Sequence, residues 1–400
     1  MDRMDVAVFG GGPAGLASAL ALRQRGFRVA LYDAQRPPID KACGEGLMPE
    51  AVRLLREFGL ALDERDGASF AGISFHDAYG SAYARFSGDR ALGVRRTHLQ
   101  KQMARRAAEM GVALHWGAVV QALAGGGFAS AGVRIAADFF VIADGLRSTL
   151  APASGFREPR CHSKRYASRQ QFQRAPWVDL VEVHWGRREQ LYVTPLGRDE
   201  IGVALLTSRR GRRVCDALLD FPAVAKRIAG AAPTSKMRGA VTQTCSQRQV
   251  IRGNVAVVGD ASGSVDALTG EGLLSAFRQS NALAEAMVAG DPMRYEAAHR
   301  RMAKTSQCMA RILLLLDRHP GLEQRFVTRM AERPENFAAL LRMHLAAKSW
   351  PGFARSAAAT LLFGKRGAET SAENSKTAEA APGVSSWMPH ATKADRERGL

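Results

Sequence analysis

Val6-Ala7-Val8-Phe9-Gly10-Gly11-Gly12-Pro13-Ala14-Gly15 decides the fold. The four leading apolar residues form a run typical of a buried parallel strand. Glycines then follow as Gly10-x-Gly12-x-x-Gly15, and a helical pattern with Leu16, Leu20 and Leu22 on or near one face runs to Gly26. Phe27 to Tyr32 reads as a second strand and ends on Asp33. A complete β-α-β unit therefore occupies the first 33 residues, which is the context this glycine spacing requires. The first glycine allows a tight turn, the second lets backbone approach a pyrophosphate, and the third permits close helix–strand packing. Free N–H groups and a partial positive charge at the helix N-terminus then face the phosphates. Gly10, Gly12, Pro13, Ala14 and Gly15 are accordingly candidate dinucleotide contacts. Asp33, eighteen residues after Gly15, is placed to accept hydrogen bonds from an adenosine ribose. Its acidity favours a free 2′-hydroxyl, and so NAD or FAD over NADP.

The rest of the chain is compatible with a globular enzyme. Four hundred residues suffice for a cofactor domain plus a substrate domain, and 46% hydrophobic with 24% charged residues is ordinary. The 56 basic against 38 acidic residues give a net charge of +18. These basic residues are scattered, with no Lys/Arg tail and no aromatic–basic stripe, which argues against nucleic acid and for anionic ligands or a membrane surface. Cys43, Cys161, Cys215, Cys245 and Cys308 are odd in number, widely spaced and lack a Cys-x-x-Cys pair. That pattern argues against a disulfide framework and against a zinc site, and no metal ligand is expected. The N-terminus shows no charged-then-apolar leader, and no apolar run approaches the ~20 residues of a membrane span. The expectation is a cytoplasmic protein, with peripheral membrane contact as a further possibility.

Along the chain, Leu47–Leu60 has a helical pattern and Ser69–Phe86 alternates weakly, as strands do. Thr97 opens a helix with Gln100 three residues on, a capping-box pattern. Val112–Leu123 is strand-like, with a hairpin signal at Gly125-Gly126-Gly127, and Asp138–Ala143 is a further buried strand. Tyr166–Leu206 is strand-rich, with Val181, Val183 and Trp185 alternating with Glu182 and His184. Val255–Val258 reads as a strand and Leu273–Ala289 as a helix, and from Tyr295 to about Leu362 the chain is helical and basic. Gly367–Leu400 is polar and reads as disordered.

Three segments separate FAD from NAD. They are Ile142-Ala143-Asp144-Gly145-Leu146-Arg147-Ser148 at a strand end, Val257-Val258-Gly259-Asp260-Ala261-Ser262-Gly263 in the same setting, and Arg96 with Leu99 and Met103 at helical spacing. With the glycine fingerprint, these resemble the p-hydroxybenzoate hydroxylase superfamily of flavoproteins over roughly residues 5–300. That superfamily includes the geranylgeranyl reductases and the flavin-dependent halogenases. The resemblance implies an α/β fold: a Rossmann-like FAD-binding domain of three-layer ββα type with an inserted strand-rich substrate domain and C-terminal helices. The expected division is 1–160 with 245–300 for FAD, 70–95 and 161–244 for substrate, 301–366 helical, and 367–400 a disordered tail.

By the same resemblance Asp260, with Gly259, would hold the ribityl chain and Arg96 would lie along the ribityl–pyrophosphate part. Asp144 would support FAD and an incoming NADPH, and backbone near Val120 would meet the adenine. Asp266-Ala267-Leu268-Thr269-Gly270-Glu271-Gly272 precedes a helix whose first N–H groups, near Leu273, would face the ring's pyrimidine edge, where reduced flavin carries negative charge. Many family members have aspartate–proline where this chain has Asp266-Ala267. Lys41-Ala42-Cys43-Gly44-Glu45-Gly46-Leu47 looks like the Cys-Gly-x-Gly-Leu segment of geranylgeranyl reductases. It also resembles a bacterial branch of FAD-dependent monooxygenases of type III polyketide pathways. Lys41 is a candidate partner for flavin or phosphate, and Cys43 reads as a small space-filling thiol.

On the substrate side, Trp177, Trp185, Tyr192 and Pro195 would form an aromatic, apolar wall suited to a phenolic ring or isoprenoid chain. His184 on the strand's polar face is a weaker candidate for a base. The C-terminal helices, carrying Phe326, Phe337 and Leu341 among Arg311, Arg318 and Arg329, suit either core packing or an anionic lipid surface. Trp-x-Trp-x-Ile-Pro, a second G-x-G-x-x-G, Walker A, His-Glu-x-x-His and Gly-x-Ser-x-Gly strings are all missing from the sequence. The expected activity is FAD-dependent monooxygenation with NAD(P)H and O₂ of an apolar aromatic or lipidic small molecule, hydroxylating or epoxidising it. The alternative is reduction of prenyl double bonds.

Overall fold

In the computed structural model, residues 3–86 and 88–346 are described, with side chains as far as residue 342. The expectations for the rest of the helical region and for the tail at 367–400 lie outside these residues.

Met4–Phe9 is the centre of a six-stranded sheet, in parallel register with Val29–Asp33 on one side and Ala137–Ile142 on the other. Ala113–Trp116 extends it beyond Val29–Asp33, and Val255–Val257 beyond Ala137–Ile142, both parallel, with antiparallel Ile251–Arg252 at the edge. Val6, Ala7 and Val8 have no exposed surface, as expected of a strand covered on both faces. The helix Pro13–Gln24 is buried along nearly every side from Gly15 to Leu22. It is wedged between the sheet and the helix Gly272–Val288, so its apolar residues do not keep to one stripe. Small residues make that approach close: the Ser18 and Ser280 hydroxyls are 3.0 Å apart. On the sheet's other face lies a three-stranded layer of Val120–Ala122, Phe128–Ser130 and Val133–Arg134. Its Phe128 ring packs 4.6 Å from Phe9 and 4.9 Å from Phe140.

A second sheet of eight strands is assembled from distant parts of the chain. Gly263–Ser264, Arg238–Ser246, Arg160–Gln173, Glu200–Thr207, Glu189–Gly197 and Val181–Gly186 follow in spatial order. Gly72–His76 then pairs in parallel with Val181–Gly186, and Ser81–Arg85 forms the far edge. One face buries Leu191, Val193, Ile201 and Val203 against Val214, Phe221 and Val224. The other receives the C-terminal helices Met293–Arg318, Pro320–Glu332 and Pro334–Ala346. Leu316, Phe326, Met330 and Phe337 pack on Ala82, Ala84, Val183 and Trp185 there. Each such side chain contributes about 1.5–3 kcal/mol on burial, which explains why the apolar stripe of these basic helices turns inward to the protein. No helix among the described residues is long and apolar enough to cross a membrane.

Two expectations are corrected. Thr97 caps nothing: the helix Arg96–Glu109 starts one residue earlier, with Arg95 as N-cap and no side-chain cap bond. Gln100 is drawn away instead, donating to the Gly11 carbonyl at 3.2 Å and accepting from the Ile39 N–H at 3.3 Å. Cys161 and Cys245 form a disulfide, because neighbouring antiparallel strands set them directly opposite one another. Spacing of 84 residues conceals that neighbourhood in the sequence.

Candidate functional site

A cavity of about 730 Å³ opens at the C-terminal ends of the parallel strands and continues between the eight-stranded sheet and the C-terminal helices. Its first half is built on glycine. Gly10 has φ +117°, and a Cβ there would sit 2.3 Å from the Ala143 carbonyl oxygen. A Cβ on Gly15 would sit 1.8 Å from the Gly10 carbonyl oxygen, so only glycine lets helix and strand meet. Gly15 thus shapes the loop from behind, while Gly10, Gly12, Pro13 and Ala14 line the cavity. Asp33 fastens the loop, accepting from the Gly11 N–H at 2.5 Å and the Gln35 N–H at 2.6 Å. Each of its oxygens keeps a second lone pair for a further donor.

Arg96 reaches this loop from the first turn of its helix. It is 6% exposed, lines the cavity, and its Nη1 is buried with no protein partner. A buried guanidinium N–H without an acceptor is costly, and an anion beside the glycine loop would satisfy it. Across the cleft, Lys41 and Asp260 form a 3.0 Å ion pair, with side chains 49% and 39% exposed. Asp144 accepts from the Thr149 and Leu150 N–H groups at 3.2 and 3.4 Å, while its Oδ1 is buried without a partner. Burial pushes its carboxyl above the usual carboxylate range. An anion site at Arg96, hydroxyl acceptors at Asp33, Asp144 and Asp260, and glycine backbone between them match the pyrophosphate, ribose and ribityl parts of FAD.

Gly259, Gly270, Gly272 and Leu273 also line the cavity. The loop before them does not need the proline it lacks: fully buried Asp266 accepts from the Leu268 N–H at 3.1 Å and closes the turn itself. Arg165, at 3.6 Å, offsets part of the burial that pushes the Asp266 carboxyl upward.

Four residues in the string Lys41–Leu47 and its surroundings escaped the sequence reading. Glu45 is 2% exposed and has φ +63°, a conformation a non-glycine residue adopts only under constraint. Its carboxylate supplies the constraint, accepting from the Arg96 N–H at 2.9 Å and from Gln171 Nε2 at 2.8 Å. Arg169 stands 3.7 Å from Glu45 and 2.6 Å from Asp40. Burial pushes both the Glu45 carboxyl and the Cys43 thiol up. Alternation along Arg160–Gln173 was the available signal, since Arg169 and Gln171 share a face.

The second half of the cavity is apolar. Ile73, Phe75, Val181 and Val183 come from the sheet, and Ile312, Leu316, Phe326, Phe337 and Leu341 from the C-terminal helices. Tyr192 stands between the halves, its hydroxyl donating to the Leu268 carbonyl at 3.3 Å, and burial pushes its phenol pKa upward.

The rest of the expected wall lies elsewhere. Trp185 shares a face with Val181 and Val183 but lies beyond the cavity, packed edge-on to Phe75 at 5.9 Å. Pro195 is three residues from Tyr192, hence on the opposite face of its strand, near Trp177. Val120 belongs to the hairpin layer, away from the cavity. His184 is buried rather than solvated, on the face away from the cavity.

Comparison with known proteins agrees with this geometry. A family model described as FAD binding domain matches residues 3–185. A menaquinone reductase of Mycolicibacterium smegmatis is 28% identical over 333 residues, covering 74% of this chain and 79% of that protein. A putative 2-heptyl-3-hydroxy-4(1H)-quinolone synthase of Rhodococcus erythropolis is 28% identical over 305 residues, covering 70% of this chain and 79% of its own. Among solved structures, the flavin-dependent brominase Bmp2 superposes with a TM-score of 0.74 at 18% identity, covering 89% of this chain and 97% of that one.

Proposed function

We propose that this chain, an FAD-dependent oxidoreductase whose residues 3–185 match a model described as FAD binding domain, is a monooxygenase acting on an apolar ring or chain. Reduced by NAD(P)H, bound FAD would supply the activation of O₂ and its transfer to the substrate.

The observation that carries the reading is the division of the cavity. Arg96, Asp33, Asp144 and Asp260 gather at one end, where they would hold the pyrophosphate and the hydroxyls of FAD. Lys41, released from Asp260, would add a second cation. The loop Asp266–Leu273 would lie along the isoalloxazine edge. Beyond it, Tyr192 is the one ionisable side chain among the described residues lining the apolar half. Its raised pKa keeps the phenol protonated and able to donate a hydrogen bond, not to act as a base. Such a chamber excludes water around a reactive centre and orients an apolar substrate by shape, which oxygen transfer requires and hydrolysis does not.

The resemblance of Lys41–Leu47 to geranylgeranyl reductases, together with a relative named as a menaquinone reductase, favours a second reading, hydrogenation of a double bond in a lipid chain. That reaction needs a proton, and the buried Glu45 and the half-buried Cys43, both pushed toward their protonated forms, lie at the polar end of the same cavity. Product mass separates the two. The flavin-loaded protein is incubated with NADPH and phenolic-lipid or prenyl-lipid extracts, with and without air. A product heavier by one oxygen atom, formed only in air, supports monooxygenation. A product heavier by two hydrogens, formed equally without air, replaces it with the reductase.

A further inference from the structure

The parallel strands Gly72–His76 and Val181–Gly186 place His76 directly opposite His184. Ile73, Phe75, Val181 and Val183 face the cavity, so His76, Glu182 and His184 project from the other side of the sheet. The two imidazoles stack with centroids 4.7 Å apart and planes 15° apart. Between them the Glu182 carboxylate lies 3.2 Å from His184 Nε2 and 3.8 Å from His76 Nε2. One ligand atom from each of the three lies within 4.8 Å of the others. We infer that His76, Glu182 and His184 form a binding site for a divalent transition-metal ion of the zinc type, separate from the flavin cavity.

Two imidazoles and one carboxylate are the ligand set that zinc takes in three-ligand sites, with water in the fourth position. Around tetrahedral zinc the ligand atoms stand about 3.3 Å apart, so closing this set needs movements on the order of 1 Å. His76 can supply them, since it ends its strand and its side chain is 29% exposed, which also gives the ion a way in. Glu182 is steadied from behind, accepting from Trp177 Nε1 at 3.0 Å, as outer-shell donors steady metal-bound carboxylates.

Arg227 occupies the place a metal would take as counter-charge, 3.2 Å from Glu182 Oε1. Its side chain is 50% exposed, leaving it room to swing into solvent. Asp77, next to His76 in the sequence, adds a further negative charge near the cluster. A bound ion would clamp the strand pair on which the C-terminal helices rest.

The test uses the full chain with its flavin, stripped by chelator and titrated with zinc chloride against a chromophoric chelator. The expected result is one zinc per chain, with affinity falling by at least ~10-fold in His76→Ala and in His184→Ala, and rising in Arg227→Ala, where the competing cation is gone. Wild-type protein loaded with cobalt(II) should show ligand-field bands of nitrogen and oxygen ligands without thiolate charge transfer. Absence of stoichiometric binding, or unchanged affinity in both histidine variants, overturns the proposal. So does a thiolate band, which would place the ion on cysteine, and that reading holds even if the histidine variants fail to fold.

Discussion

Glu323 offers a direct check on how the C-terminal helices are held. It lies in the first turn of Pro320–Glu332, where burial and the charges of Asp77 and Asp317 push its carboxyl from 4.5 to about 7. The folded state therefore binds the proton more tightly than the unfolded chain. Stability from this group is present below about pH 4.5 and is lost as pH rises toward 7. At roughly 1.36 kcal/mol per pKa unit the shift corresponds to ~3.4 kcal/mol, and partial exposure reduces this to about 1–2 kcal/mol. Glu323→Gln should leave stability near pH 5 almost unchanged and raise it by about 1–2 kcal/mol near pH 8.5, a rise of a few degrees in Tm. Urea unfolding of flavin-loaded wild type and variant at the two pH values, with matched m-values, measures the difference. An equal effect at both pH values, or a less stable variant at the higher one, would refute the reasoning.

Gly15→Ala would thrust a methyl group onto the Gly10 carbonyl, so the purified variant should lose its yellow colour and at least ~10-fold in FAD affinity, read by flavin fluorescence titration. Phe337→Ala, truncating a side chain 4% exposed, should cost about 3–5 kcal/mol in denaturant unfolding and raise KM for an apolar substrate more than it lowers kcat. Alkylation without reductant should leave Cys161 and Cys245 unlabelled while exposed Cys215 reacts, and reduction should lower stability by about 2–4 kcal/mol. Five labelled cysteines in the unreduced, unfolded protein would remove the disulfide.

The cofactor half of the molecule was legible because its rules are local. A glycine that must touch a carbonyl, a strand that must be apolar on both faces and an aspartate at a strand end all leave marks within a few residues. The substrate half obeys rules of a longer range. Cys161 and Cys245 meet through strand pairing, and Glu45 is tied to Arg169 and Gln171 from a strand more than a hundred residues away. Gln100 looked like a capping residue because its spacing was right, yet a backbone carbonyl in another loop claimed it. Some of the misplaced wall was readable: Tyr192 and Pro195 differ by an odd number and cannot share a strand face. Trp185 has the correct parity, and only the position of the C-terminal helices excludes it from the cavity.

The helical wall of the cavity's apolar half comes from Met309 to Leu341, whereas the glycine loop, Arg96 and Asp260 all precede it. Apart from the sheet residues Ile73, Phe75, Val181 and Val183, the walls of the apolar half are thus written in a stretch of chain separate from the cofactor loops. Substitutions from Met309 to Leu341 can reshape what the chamber admits while the dinucleotide fold stays as it is. A lineage drifting in that segment alone would change its chemistry's target without having to reinvent its flavin.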